Sequence, residues 1–358
     1  MRRLILVLVA LLFAGGAAFA ETDERRDERE DEKKAKKKAK KKRNKVKVSG
    51  FLTALYKLRI DGNDDGFVEP DFFRLGKVVV RVKGRVEERV GYTVEIDPRS
   101  PTLAGVMRDA YISLHLIPGH QIRLGQQKTP FGYENWQSTV ELYTITRSEL
   151  SEGLGRGLTH RDIGIGLVGK VQINDCWRFE DAIAVVNGAG FGVQADTTEL
   201  KNVWARAGVR GELREDLVIH AGLSGAIGDQ KEPDDPGPPP VPAERVKFRR
   251  VGADLEVDHR WVFFSAEYAM GSDEAPAESG MSESSMAYSI TLAGKTPWHA
   301  GPVIRYDAAD LEEFSRITVG GYWGEPGARV RAIAHYERFE DEAGVHDGRL
   351  TAVGIVVF

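Results

Sequence analysis

Residues 48–60 read V-S-G-F-L-T-A-L-Y-K-L-R-I. Val48, Gly50, Leu52, Ala54, Tyr56, Leu58 and Ile60 fall in one phase of a period of two, with Ser49, Thr53, Lys57 and Arg59 in the other. Alternation of this kind belongs to a strand with one apolar and one polar face. The same separation returns along the chain. In K-V-V-V-R-V-K-G-R-V (77–86), Val78, Val80 and Val82 stand against Lys77, Arg81 and Lys83. In 109–119, Ala110, Ile112, Leu114 and Leu116 stand against Tyr111, Ser113 and His115. Residues 216–225 and 329–339 behave alike, and no long stretch carries helical spacing.

The pattern predicts about sixteen strands, the first near 46–60 and the last near 349–358. Their connections alternate in length. Short links at 118–120, 173–175, 214–216 and 258–260 separate long polar ones at 61–71, 232–244 and 273–284, and the longest runs from Gly132 to Arg161. An even count with short turns on one rim and long loops on the other describes a transmembrane antiparallel up-and-down β-barrel. Trp177, Trp261, Trp298 and Trp323 lie beside the short turns, where an interfacial aromatic girdle belongs.

The amino-terminal region is of another kind. Arg2 and Arg3 precede the apolar run L-I-L-V-L-V-A-L-L-F-A, and A-F-A closes it at Ala20. That arrangement predicts a signal peptide over 1–20 and an exported protein. Residues 21–45 have acids first, then lysines, and no apolar face, which predicts a solvated helix or disordered arm on the periplasmic side. Its basic stretch, 33–47, is a candidate contact with an anionic cell-wall polymer. The barrel is then expected over 46–358. No later stretch has the length of a transmembrane helix, so a membrane location requires a closed barrel. The formal net charge of −4 points to no nucleic acid partner, and the single cysteine, Cys176, excludes an intrachain disulfide framework.

Two features narrow the reading by resemblance. Phe358, ending an alternating strand, resembles the carboxy-terminal signal read by the barrel-assembly machinery of Gram-negative bacteria. The segment I-R-L-G-Q-Q-K-T-P-F-G-Y-E-N-W-Q-S (122–138), with Gly125, Lys128, Pro130, Phe131 and Gly132, resembles the phosphate-selective porin O and P family. In that family a strand ending in G-x-x-K-x-P-F-G opens a loop that folds into the pore. The resemblance implies a trimeric outer-membrane porin passing small anions such as phosphate or polyphosphate, with outer-membrane lipid around it and neither cofactor nor chemical step. The long loop carries Glu134, Glu141, Glu149 and Glu152 beside Arg147, Arg156 and Arg161, so a mildly anion-favouring general porin is the expectation.

If the apolar phase faces lipid, the polar phase lines the lumen. Pore-lining candidates for contact with anions are Arg81, Arg206, Arg250 and Arg305 near mid-strand, with Arg123, Arg147, Arg331 and Lys128; guanidinium forks suit oxyanions. The same arginines are equally suited to pairing with acids across neighbouring strands. Asp61, Asn63, Asp65 and Gly66 match the first half of a calcium loop, but Phe72 stands where the closing glutamate belongs, so no metal is expected. No H-E-x-x-H or G-x-S-x-G motif occurs. A barrel enzyme of the esterase or phospholipase type stays open as an alternative, as does a plugged structural barrel tethered by its arm.

Overall fold

The computed structural model describes residues 46–59, 72–100, 103–152, 161–193, 201–231, 245–274, 282–310, 313–341 and 344–358. The expected signal peptide (1–20), arm (21–45) and weak calcium motif (Asp61, Asn63, Asp65) lie outside them. The described residues form sixteen strands: β1 Lys47–Arg59, β2 Phe72–Arg85, β3 Val90–Ile96, β4 Met107–Leu114, β5 His120–Lys128, β6 Arg161–Gln172, β7 Trp177–Val186 and β8 Asn202–Arg214. The remainder are β9 Leu217–Lys231, β10 Arg245–His259, β11 Val262–Glu274, β12 Ser282–Gly294, β13 Ala300–Ala309, β14 Ser315–Trp323, β15 Val330–Asp341 and β16 Gly344–Val357. Each pairs antiparallel with its neighbours in sequence, and β16 pairs with β1 to close the barrel. At that seam Gly50 N donates to Phe358 O at 2.8 Å and Phe358 N to Gly50 O at 3.0 Å. Closure satisfies every edge, which is what permits strands to cross a bilayer.

Burial is inverted relative to a soluble protein. On β9, Leu223 is 67% exposed while His220, three residues earlier, is fully buried. Leu255, Ile290, Ile304 and Val319 are exposed, whereas Arg206, Asp254, Arg305 and Asp307 are buried. The apolar phase therefore faces outward and the charged phase inward. Trp261, Trp298 and Trp323 stand exposed beside the short turns, and the Trp177 ring lies against Gly211.

The inner surface is not uniformly polar. Phe51, Leu55, Val79, Val303, Tyr322, Ile333, Val353 and Ile355 form one inner cluster, on β1, β2 and β13–β16, together with Val140 and Tyr143. A second holds Val186, Trp204 and Phe248 with Phe131 and Leu150. Both take residues from the long connection between β5 and β6. This explains why the terminal strand carries apolar residues in both phases: one meets the exterior and the other meets that connection. β3 and β4 are the shortest strands, of 7 and 8 residues, followed by β5 and β14 with 9 each. β4 stops at Leu114, before the link at 118–120 to which the alternation leads.

Candidate pore and its charged lining

The connection after β5 begins at the G-x-x-K-x-P-F-G motif. Gly125 has φ 129° and Gly132 φ 67°, backbone geometries that side chains disfavour. A Cβ on Gly125 would also lie 2.2 Å from Ala110 O. At the Gly132 turn the amide donates to Ser224 Oγ at 3.1 Å, and Phe131 packs edge-on against Trp204 with centroids 5.9 Å apart. The chain then enters a short helix, α2 (Tyr133–Trp136; α1 is Leu103–Val106), a 3-10 turn over Thr139–Glu141, and α3 (Glu149–Glu152).

Cations hold this segment through its backbone. Lys128 Nζ donates to Asn135 O at 2.9 Å, Trp136 O at 3.3 Å and Gln137 O at 2.7 Å. It thus caps the carbonyl end of α2, as a cation should. Arg147 donates to Glu134 O, and to Gln137 O at 2.9 Å. Arg331 donates to Val140 O at 2.5 Å and Leu142 O at 2.9 Å. Arg305 donates to Thr144 Oγ1 at 3.1 Å and Thr146 O at 2.7 Å, and Arg316 to Arg147 O at 2.6 Å. Acceptors on the wall serve the segment's amides: Glu149 N donates to Asp307 Oδ2 at 2.9 Å, and Glu134 N to Glu267 Oε1. Burial first, and then Glu256, push the Tyr133 hydroxyl up to about 12, so it remains a neutral donor.

The mid-strand arginines are paired. Arg206 meets Asp254 at 2.5 Å and lies 5.1 Å from the Tyr133 ring, on which His220 stacks at 3.9 Å. Arg250 meets Asp273 Oδ2 at 2.9 Å, Arg305 meets Asp307 at 3.1 Å, and Arg81 is bridged to Glu95. Glu95 also receives Arg108 at 3.0 Å and Arg161 at 3.4 Å, and Arg161 meets Asp109 at 2.6 Å. Of the eight nominated cations, Arg81, Arg123 and Lys128 border one charged cavity. The others are engaged with wall carboxylates or loop carbonyls elsewhere.

That cavity, of about 730 Å³, is lined by Arg81, Lys83, Arg89, His115 and Arg123 along β2–β5 and their turns, against Asp109 and Glu141. Among the described residues, Lys83, Arg89 and Arg123 have no carboxylate within ion-pair distance. Lys83 follows from the alternation; Arg89 sits in a turn, where periodicity gives no phase. His115, in the β4–β5 turn, has its pKa held below the ordinary imidazole value by burial first, then by Arg85 and Arg123. A second cavity of about 450 Å³ holds Glu180, Glu256, Asp258 and Glu325, with Arg178 and Arg210. Trp136, Glu141 and Lys170 border both. The lining is thus divided into a cationic bay and an acidic one.

Residues 58–235 match the family model for phosphate-selective porin O and P. No curated protein matches the chain. Solved structures share its fold. OmpT of Vibrio cholerae, in a trimer form, has 13% identity and TM-score 0.59, over 88% of this chain and 99% of its own. An anion-selective porin from Comamonas acidovorans has 13% identity and TM-score 0.56, over 88% and 100%. Salmonella typhi OmpF, in a complex with daunomycin, has 13% identity and TM-score 0.55, over 89% and 99%. With its sixteen strands closed, its polarity inverted and its β2–β9 portion matching the family model, the chain belongs to the phosphate-selective porin O and P family and is a porin of the Gram-negative outer membrane.

Proposed function

We propose that this porin passes small hydrophilic solutes by diffusion with a mild preference for anions, with phosphate or polyphosphate among them as the family resemblance implies. The observation that carries the preference is the trio of unpaired cations, Lys83, Arg89 and Arg123, in the larger cavity. Selectivity follows local charge at the narrow part of a pore, and net protein charge has little bearing on it. Residues 129–152 fold into the lumen in this reading and narrow it, a role supported by their bonds to Ser224, Glu267, Arg305, Asp307, Arg316 and Arg331. Arg206, Arg250 and Arg305 stiffen the wall and seat the loop. No chemical step is involved.

The protein assembles as a trimer in lipid, by analogy with the trimeric porin it is similar to, and Phe358 serves as the mark for the assembly machinery. The arm at 21–45, following a cleaved signal, tethers the barrel to the cell wall. Reversal potentials in a potassium chloride gradient test the central claim. Chloride preference is expected, and the Lys83→Gln, Arg89→Gln double variant reduces it, most strongly at low salt. A wild-type preference for potassium refutes the reading. A folded protein without conductance indicates a plugged barrel instead, and ester hydrolysis by the pure protein indicates an enzyme.

A further inference from the structure

The Arg123 guanidinium is held against two rings, 5.0 Å from the centroid of Tyr111 and 5.9 Å from that of Trp136. Among the described residues its buried Nε has no hydrogen-bond partner, and no carboxylate pairs with the guanidinium. The other buried arginines of the lumen are pinned by acids or carbonyls. Among the described residues Arg123 is oriented by aromatic faces and by no acid, which leaves its donors for something else.

Trp136 is fixed from behind. The three carbonyls at the end of its helix receive Lys128, and Arg147 grips that helix from a second direction. Its indole borders the cationic bay and the acidic bay alike. Beyond it the acidic bay continues the aromatic lining with Tyr133, Tyr143 and Phe263. Trp136 thus stands between the two bays, with further rings on its acidic side and the Arg123 fork on its cationic side.

We infer that Arg123, Trp136 and Tyr111 form a subsite for aryl anions, meaning a carboxylate or similar oxyanion attached to an aromatic ring. The carboxylate takes the open N–H edge of Arg123, and the ring packs on the exposed part of Trp136. A saturated anion of the same charge and size reaches the fork but lacks the ring contact. The inference rests on the anion-favouring reading above and adds the chemical class of the preferred solute. Most of the selectivity falls on Trp136, because Arg123 attracts both kinds of anion.

The test is bi-ionic reversal potentials across planar bilayers holding the full-length porin, with sodium benzoate against sodium cyclohexanecarboxylate. One aromatic contact predicts a permeability ratio of about threefold or more in favour of benzoate. Trp136→Leu brings the ratio toward one, and Trp136→Phe restores part of it, which a merely structural tryptophan does not require. Arg123→Gln lowers the permeability of both anions together. Equal permeation of the two by the wild type, with chloride still preferred over potassium, overturns the subsite and leaves the anion reading standing. Preference for potassium over chloride overturns both. The wild-type ratio alone decides the matter if a variant fails to fold.

Discussion

Arg331 offers a quantitative handle on the segment between β5 and β6. It is 1% exposed, and its fork reaches Val140 O at 2.5 Å, Leu142 O at 2.9 Å and Gly324 O at 3.0 Å. Arg331→Met keeps an unbranched stem that fills the inner part of the site and deletes every donor. Hydrogen bonds from a charged donor contribute about 1.5–3 kcal/mol each, so the two bonds to the segment amount to about 3–6 kcal/mol. Val140 O keeps a bond from Gly327 N at 3.3 Å. Lumen water re-solvates the freed carbonyls and brings the net loss to roughly 2–4 kcal/mol. At about 1.4 kcal/mol per factor of ten, the undocked population rises about 30- to 1000-fold. Single-channel records should then show added current noise and brief steps, and trypsin should cleave after Arg147, which is 9% exposed in the docked segment. Unchanged noise together with unchanged cleavage would refute the reasoning and leave the apolar packing of Val140 and Tyr143, with the bonds of Arg305, Arg316 and Asp307, as a sufficient anchor.

His115 gives a pH dependence with a definite sign. Its lowered pKa keeps it neutral near neutrality, so anion preference should rise as pH falls from about 7 to 5 and protonation adds charge to the cationic bay. The unfolded chain takes up that proton first, so the same acidification costs the folded state some stability. His115→Gln should flatten the change in reversal potential, and an unaltered profile in that variant excludes the assignment. Deleting Phe358 removes its two hydrogen bonds to Gly50 at the β1–β16 seam. The amount of heat-modifiable barrel in the outer membrane should fall while export continues, and normal abundance would show that the seam and the assembly step tolerate its loss.

Reading the sequence sufficed for the barrel because strand phase is local. Val48 to Ile60 and Lys77 to Val86 each reveal their two faces without reference to any partner, and the alternation of short and long links supplies the strand count. The motif from Gly125 to Gly132 likewise marked the turn out of β5, since its glycines answer a backbone requirement that local geometry imposes. Strand ends were less legible: the alternation runs on through His115 and Leu116 after β4 has stopped, because pairing with β5 ends at Leu114 and periodicity does not record pairing.

What the tertiary structure decided is which inward charges remain available. Arg305 and Arg123 look alike in sequence, each on the polar phase of a strand. Arg305 meets Asp307 beside it and Thr144, 161 residues away, whereas among the described residues Arg123 meets the rings of Tyr111 and Trp136 and no carboxylate. The same holds for Val353 and Ile355, whose inward direction makes sense only against Val140 and Tyr143. A strand's period fixes the side on which a residue points. What it meets there depends on barrel closure and on the path of residues 129–152, long-range matters on which a period of two is silent.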